Sequence, residues 1–182
     1  MIIQKIKSNK LYLENDEVID INPDIIHEFK LKSNMDISGI YTDIIKASIK
    51  NKAFYYIYLK SRTRYELLSK LKLKYFDKKE LIEEVLDYLE ENLYINDVDY
   101  AISYILSHKN SKTKNTMKLL QKGIKKQDID EAYEDIPNDM EKEQLSEEVR
   151  KLKEKNYEDA KIILTLTRKG YRYNDIKENL KK

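Results

Sequence analysis

His27 and His108 are the only imidazoles in the chain, and no motif links them. An imidazole works as a general base or metal ligand only beside an oriented partner. Neither has one at a recognisable spacing, so each reads as a surface or partly buried residue. The paired carboxylates Glu83-Glu84 and Glu90-Glu91 are of a type that holds divalent cations. The ligand-loop spacing that such a site needs is missing, and a solvated helix face is the simpler reading. With no cysteine there is no thiol nucleophile, thiolate zinc site or disulfide framework. Three glycines are too few for a Gly-rich loop that cradles phosphate. No catalytic set, metal or cofactor is expected. The fifteen tyrosines offer flat faces on which bases stack. Yet Tyr55, Tyr56, Tyr88 and Tyr104 fall at helical spacing and read as core or half-buried packing.

Charge is the feature that does carry chemistry. Residues 60–79 hold eight Lys/Arg and two acids, and residues 80–99 hold eight acids and no Lys or Arg. Residues 100–127 hold seven Lys and no acid, residues 128–148 ten acids and one Lys, and residues 149–173 eight Lys/Arg and three acids. One reading is pairing between adjacent helices of this chain. The other is a basic face offered to a polyanion or an acidic protein groove. Lys114, Lys118 and Lys122 follow i, i+4, i+8, and each such like-charge pair costs an isolated helix roughly 0.2–0.5 kcal/mol. A partner that neutralises the stripe would make it easier to understand, and that partner could still be a neighbouring helix.

The elements that must position these residues are helical. Apolar residues make up 41% of the 182, and charged residues 37%, which gives a core under a heavily charged surface. With so few breakers, all-β folds are excluded. No run approaches 18 apolar residues, so no transmembrane span is expected. The start, Met-Ile-Ile-Gln-Lys, has no signal-peptide core, and a cytoplasmic protein follows. Residues 1–22 read differently from the rest. Ile2–Ile6, Leu11–Leu13 and Val18–Ile21 favour strands, and Ser8-Asn9 and Asn15-Asp16 separate them, which predicts a small antiparallel hairpin or meander. Pro23 suits the first turn of a short helix.

From about Ile37 the period is helical. Ile40, Ile44, Ile45, Ile49, Ala53, Tyr56 and Ile57 form one stripe. Thr63 followed by Glu66 is a capping box, and Asp77-Lys78-Lys79-Glu80 repeats the device. Leu81, Ile82, Val85, Leu86 and Leu89 form the core face of the helix that follows. Asn96-Asp97 and Pro137 open others. An internal repeat is visible. In Leu71–Phe76, Leu119–Ile124 and Leu166–Tyr171 a Leu stands four before a turn residue, Lys one before it and an apolar residue one after. The turn residues are Tyr75, Gly123 and Gly170. Gly adopts the left-handed C′ conformation that ends a helix, whereas Tyr75 would be strained with φ above zero. The spacing predicts nine helices at about 38–60, 63–74, 78–92, 97–108, 112–122, 126–135, 137–154, 158–169 and 173–181. These make three triples. The predicted fold is all-α: tandem three-helix repeats in an elongated arrangement, with the small strand-rich start. Its divisions are an extension at 1–35 and repeats at 36–93, 94–136 and 137–182.

Four segments resemble the bacterial RecX regulators of the RecA recombinase. They are Arg62-Thr63-x-x-Glu66-Leu67-x-x-Lys70-Leu71, Tyr94-Ile95-Asn96-Asp97-x-x-Tyr100-Ala101, Leu119-x-x-Lys122-Gly123-Ile124 and Arg168-Lys169-Gly170-Tyr171. The likeness covers about residues 37 to 182. Departures are Tyr75 where the family has Gly, and Ser111, Asn115 and Lys118 where it has Gly, an apolar residue and Glu. The resemblance implies a non-enzymatic regulator that binds along the groove of the RecA–single-stranded DNA filament. There it would restrain filament growth, ATP turnover, strand exchange and the coprotease activity behind the SOS response. The partners it implies are the RecA filament and single-stranded DNA, met directly or through the filament, with no membrane, for a monomer. The binding residues expected are Arg62, Arg64, Lys70, Lys74, Lys112, Lys114, Lys118, Lys122, Arg168 and Lys169. The alternative is a stand-alone nucleic-acid-binding helical repeat protein.

Overall fold

Buried and exposed residues alternate along β2 (Lys10–Leu13) and β3 (Val18–Asp20), and in β1 (Ile3–Lys7) the alternation is interrupted where the register shifts between Ile3 and Lys5. The computed structural model describes residues 1–137 and 139–181. Strands β1 (Ile3–Lys7), β2 (Lys10–Leu13) and β3 (Val18–Asp20) form an antiparallel meander in that order. Ser8 and Asn9 take φ of 52° and 58°, and Lys7 stands opposite Lys10. Two left-handed residues make the turn whose twist matches paired strands. The other edge of β1 meets residues 34–37. The Ile3 N–H donates to the Met35 carbonyl at 2.9 Å, and the Asn34 N–H to that of Ile3 at 2.8 Å. These bonds occupy an edge that would otherwise be open.

The helices are α1 (Pro23–Glu28), α2 (Tyr41–Leu59), α3 (Arg64–Lys74), α4 (Lys79–Glu91), α5 (Asp97–Ser107), α6 (Lys112–Gln121), α7 (Lys126–Glu134), α8 (Met140–Glu154), α9 (Asp159–Arg168) and α10 (Tyr173–Leu180). The chain is thus mostly helical with a small sheet at its start, as its sequence predicts. Several starts follow from caps. Thr63 accepts from the Glu66 N–H at 3.1 Å, Asn96 from the Val98 N–H at 2.9 Å, and Ser111 from the Lys114 N–H at 3.2 Å. Two starts differ from expectation. Asp77 caps nothing: its carboxylate meets Lys78 Nζ at 2.7 Å, and Lys78 holds the cap position without a side-chain bond. The helix expected from Pro137 begins at Met140; residues 138 and 182 lie outside the described residues.

Gly123 and Gly170, at φ of 81° and 87°, end α6 and α9 as their spacing predicts. The Ile124 N–H reaches back to the Leu119 carbonyl at 3.2 Å, and that of Gly123 to Leu120 at 2.9 Å. The Tyr171 N–H likewise reaches Leu166 at 3.2 Å, and that of Gly170 reaches Thr167 at 2.9 Å. Both are Schellman closures that satisfy the last carbonyls of a helix. The same closure ends α4 on Leu93 and α8 on Asn156, at φ of 58° and 57°. The third repeated turn departs. Tyr75 has φ of −120°, so it escapes left-handed strain. Its ring is buried, with the hydroxyl 3.0 Å from Ser48 Oγ. Phe76, expected to pack back, is 83% exposed, because without a left-handed residue the chain does not fold over the helix end.

The chain divides into two compact units, Met1–Ile95 and Asn96–Lys182. In the first, Ile3, Leu11 and Ile19 of the sheet share one buried cluster with Ile44 and Ile49 of α2, Leu67 and Leu71 of α3, and Ile82, Leu86 and Leu89 of α4. Each such side chain contributes about 1.5–3 kcal/mol by leaving water. The second unit holds two clusters. One gathers Ala101, Ile105, Leu119, Ile124, Ile129 and Ala132; the other Leu145, Val149, Ile162, Leu166, Tyr171 and Ile176. Leu120, next to buried Leu119, is 46% exposed. The buried residues of α6 are Asn115 and Leu119, one i, i+4 pair.

Candidate functional site

The expected binding residues fall into both units. In the first unit, the cap at Thr63 starts α3 and fixes its neighbours Arg62 and Arg64. Arg64 lies toward acidic α4. Its guanidinium meets Glu90 at 2.6 Å, Asp87 at 2.8 Å and Glu83 at 3.0 Å. Burial works against its charge, but the three carboxylates outweigh burial and raise its pKa. Glu83 and Glu90 thus face a guanidinium. Lys74 pairs with Asp20, opposed by burial and by neighbouring Lys10, which together push the lysine pKa down. Arg62 and Lys70 have a different neighbour. The guanidinium of Arg62 lies 5.9 Å from the Tyr56 ring centre and Lys70 Nζ 5.3 Å from it, and Arg62 Nε donates to the Tyr56 carbonyl at 3.3 Å. Lys52, which sequence reasoning missed, lies 5.2 Å from the same ring. Its signal was the i, i+4 spacing to Tyr56. Tyr55, read as packing, is 50% exposed.

In the second unit, α6 carries Lys112, Lys114 and Lys118, Lys122 is its C-cap, and the end of α9 comes against its start. The Ser111 N–H donates to the Lys169 carbonyl at 3.0 Å, and Lys114 Nζ donates to the carbonyl of Arg168. This brings Arg168 beside Lys114, 54 residues away in sequence. Close approach there requires Gly170: a Cβ on it would lie 2.5 Å from Ser111 Oγ and 2.9 Å from Lys114 Cβ. Lys169 pairs with Glu148 of α8. Lys112 Nζ lies over the Tyr133 ring at 4.4 Å and Lys122 Nζ over Tyr100 at 5.3 Å. Lys118 is exposed and donates to Gln121 Oε1 at 3.2 Å. The charge alternation is therefore partly consumed inside the chain, by Arg64, Lys74 and Lys169, and partly left on the surface.

Sequence reasoning also missed Lys109, which meets Glu147 at 2.7 Å while Lys151 meets the same carboxylate at 2.6 Å. Hydrogen bonds from Lys109 and then Lys151 hold the Glu147 pKa down to about 2. His108 stacks on Tyr104 with ring centres 3.8 Å apart, and both histidines are exposed. No helix among the described residues is long and apolar enough to cross a membrane.

No family model matches the chain. It is similar to the regulatory protein RecX of Streptococcus pneumoniae serotype 19F (strain G54), with 34% identity over 94% of this chain and 72% of that protein. The regulatory protein RecX of Streptococcus agalactiae serotype Ia is 32% identical over 95% of this chain and 73% of its own length. A crystal structure of regulatory protein RecX superimposes with a TM-score of 0.64 and 22% identity, covering 100% of this chain and 98% of that one. RecX from Lactobacillus salivarius does so at 0.63 and 23%, covering 75% and 94%. The two structures establish a shared fold, and the two relatives a shared ancestry along nearly the whole chain: it belongs to the RecX family of regulatory proteins.

Proposed function

We propose that this protein is a non-enzymatic, cytoplasmic regulator that binds the RecA–single-stranded DNA filament and inhibits its ATPase, strand-exchange and coprotease activities. The observation that carries the reading is kinship with proteins named regulatory protein RecX over 94% of the chain. Surface cations in both units support it, because a filament on DNA is a polyanion and attracts them over distance. The binding residues proposed are Arg62, Arg64, Lys70, Lys74, Lys112, Lys114, Lys118, Lys122, Arg168 and Lys169. Arg64, Lys74 and Lys169 have less charge to offer, since carboxylates share it. We read the chain as a monomer with an extension at 1–35 and three repeats at 36–93, 94–136 and 137–182.

The test is RecA's DNA-dependent ATP hydrolysis. Substoichiometric protein should slow it, because one binder can block many protomers of a filament. Unchanged hydrolysis at equimolar protein would sink the inhibitor reading. The second reading, a nucleic-acid-binding protein that needs no RecA, is favoured by the cations around Tyr56. Binding to bare single strands and to RecA-coated strands at physiological salt separates the two.

A further inference from the structure

The first unit carries a cationic and aromatic strip along α2. The turn between β1 and β2 stands against this helix and leaves a cleft of about 300 Å³, lined among others by Asn9, Lys10, Asn51, Lys52, Tyr55 and Tyr75. Lys52 belongs to the cleft wall and also to the cluster beyond it. Its Nζ is 4.4 Å from the Tyr55 ring centre and 5.2 Å from that of Tyr56. Arg62 and Lys70 approach Tyr56 from α3 and the turn before it, at 5.9 Å and 5.3 Å. Three cations thus crowd one ring, and Lys10 also lines the cleft. Among the described residues none of the four pairs with a carboxylate; the one carboxylate in the cleft, Asp20, is engaged by Lys74. Tyr55 is 50% and Tyr58 89% exposed, three residues apart on the same helix.

We infer that this strip, from the β1–β2 turn along α2 to Arg62 and Lys70, holds a single nucleic-acid strand, with phosphates on Lys10, Lys52, Arg62 and Lys70 and a base stacked on Tyr55. Cations crowded without counter-charge fit a repeating anion. Exposed rings beside them fit a ligand with flat faces of its own, and a strand with unpaired bases has such faces. An acidic peptide would satisfy the cations and leave the rings bare. A duplex covers its base faces by stacking and should bind more weakly. The inference rests on the filament reading only in placing the protein near DNA, and it deepens that reading by naming a direct contact to the strand.

The experiment is fluorescence anisotropy of a labelled oligo-dT of about twenty nucleotides, without RecA, across a salt series. The wild-type chain should bind, with affinity falling as salt rises. Lys52→Gln with Lys70→Gln should flatten the logarithmic salt slope by about 1.4 units, from roughly 0.7 per phosphate on a single strand. Tyr55→Leu should weaken binding by about fivefold to a hundredfold, the range for one stacked base. Lys10→Gln, at the exposed start of β2, gives a third reading should the double variant melt early. No binding by the wild type, unchanged affinity and slope in well-folded variants, or equal competition by polyglutamate would overturn the inference. RecA ATPase assays on the same preparations separate it from the function. Inhibition without bare-strand binding overturns only the strand contact; strand binding without inhibition sustains the contact and overturns the inhibitor.

Discussion

Gly170 and Leu93 occupy the same kind of turn, and their chemistry predicts substitutions of opposite sign. At Gly170 a side chain would meet φ of 87° and a Cβ contact of 2.5 Å to the oxygen that caps α6. Left-handed backbone costs an L-residue about 1–2 kcal/mol, and overpacking adds about 1–3. Gly170→Ala is expected to destabilise the second unit by about 2–5 kcal/mol in a denaturant melt. Leu93 already bears the left-handed cost, at φ of 58°, with a side chain 77% exposed. Leu93→Gly removes that strain and gives back part of it as unfolded-chain entropy, about 0.5–1 kcal/mol. A net stabilisation of up to about 1 kcal/mol is expected. A lower melting temperature for Leu93→Gly would show that the Leu side chain contributes more than its exposure suggests.

At the scale of elements, the departures of α6 from its family pattern form a consistent set. Ser111, where the resemblance leads one to expect Gly, caps the helix. Asn115, where the resemblance leads one to expect an apolar residue, is buried, yet it is served by its neighbours. It accepts from Asn110 Nδ2 at 3.2 Å and donates to the carbonyls of His108 and Asn110 at 3.3 Å. A buried amide with its partners made is tolerated where an orphan would not be. The loop before α6 is also tied to α8, through Lys109 and Glu147. The Glu147 pKa, about 2 when folded, lies below its ordinary value of 4.5. The sign follows from linkage: its contribution is complete above the ordinary value and is lost as pH falls from there through about 2. Lys109→Gln should therefore move the acid unfolding midpoint of the chain upward, followed by circular dichroism. In Glu147→Gln, which has nothing to titrate there, the Lys109 substitution should have no further effect on that midpoint. A midpoint that Lys109→Gln leaves unmoved would mean that other carboxylates govern acid unfolding.

For the whole molecule, the boundary at Ile95 carries a prediction about folding. The buried cluster of the first unit, from Ile3 to Ile95, closes without a residue from the second. Ile3, Leu11 and Ile19 of the strands are part of this core. A chain ending at Ile95 should fold alone, with helical circular dichroism and a cooperative melt. A fragment that is unfolded at room temperature would show that the second unit is needed to complete the first. The same fragment holds the Tyr56 cation cluster, so regulation of RecA by the whole chain and strand binding by this part are separable measurements.

Several features follow from the sequence by itself because they are local. The 3.6-residue period, Thr63 and Asn96 as cap types, and Gly123 and Gly170 as helix ends each depend on residues within one turn of one another. The family resemblance is legible for the same reason, being carried by short ordered segments. Which charges are spent and which are free is not local. Arg64 reaches carboxylates 19 to 26 residues away, and Lys114 meets a carbonyl 54 residues away. A side chain's charge is available or consumed according to what packs beside it, and only tertiary structure decides that. Tyr75 makes the same point. Its slot in the repeat predicts a left-handed turn, but the hydroxyl of Ser48 and a place in the core outweigh the local pattern, and the chain turns another way.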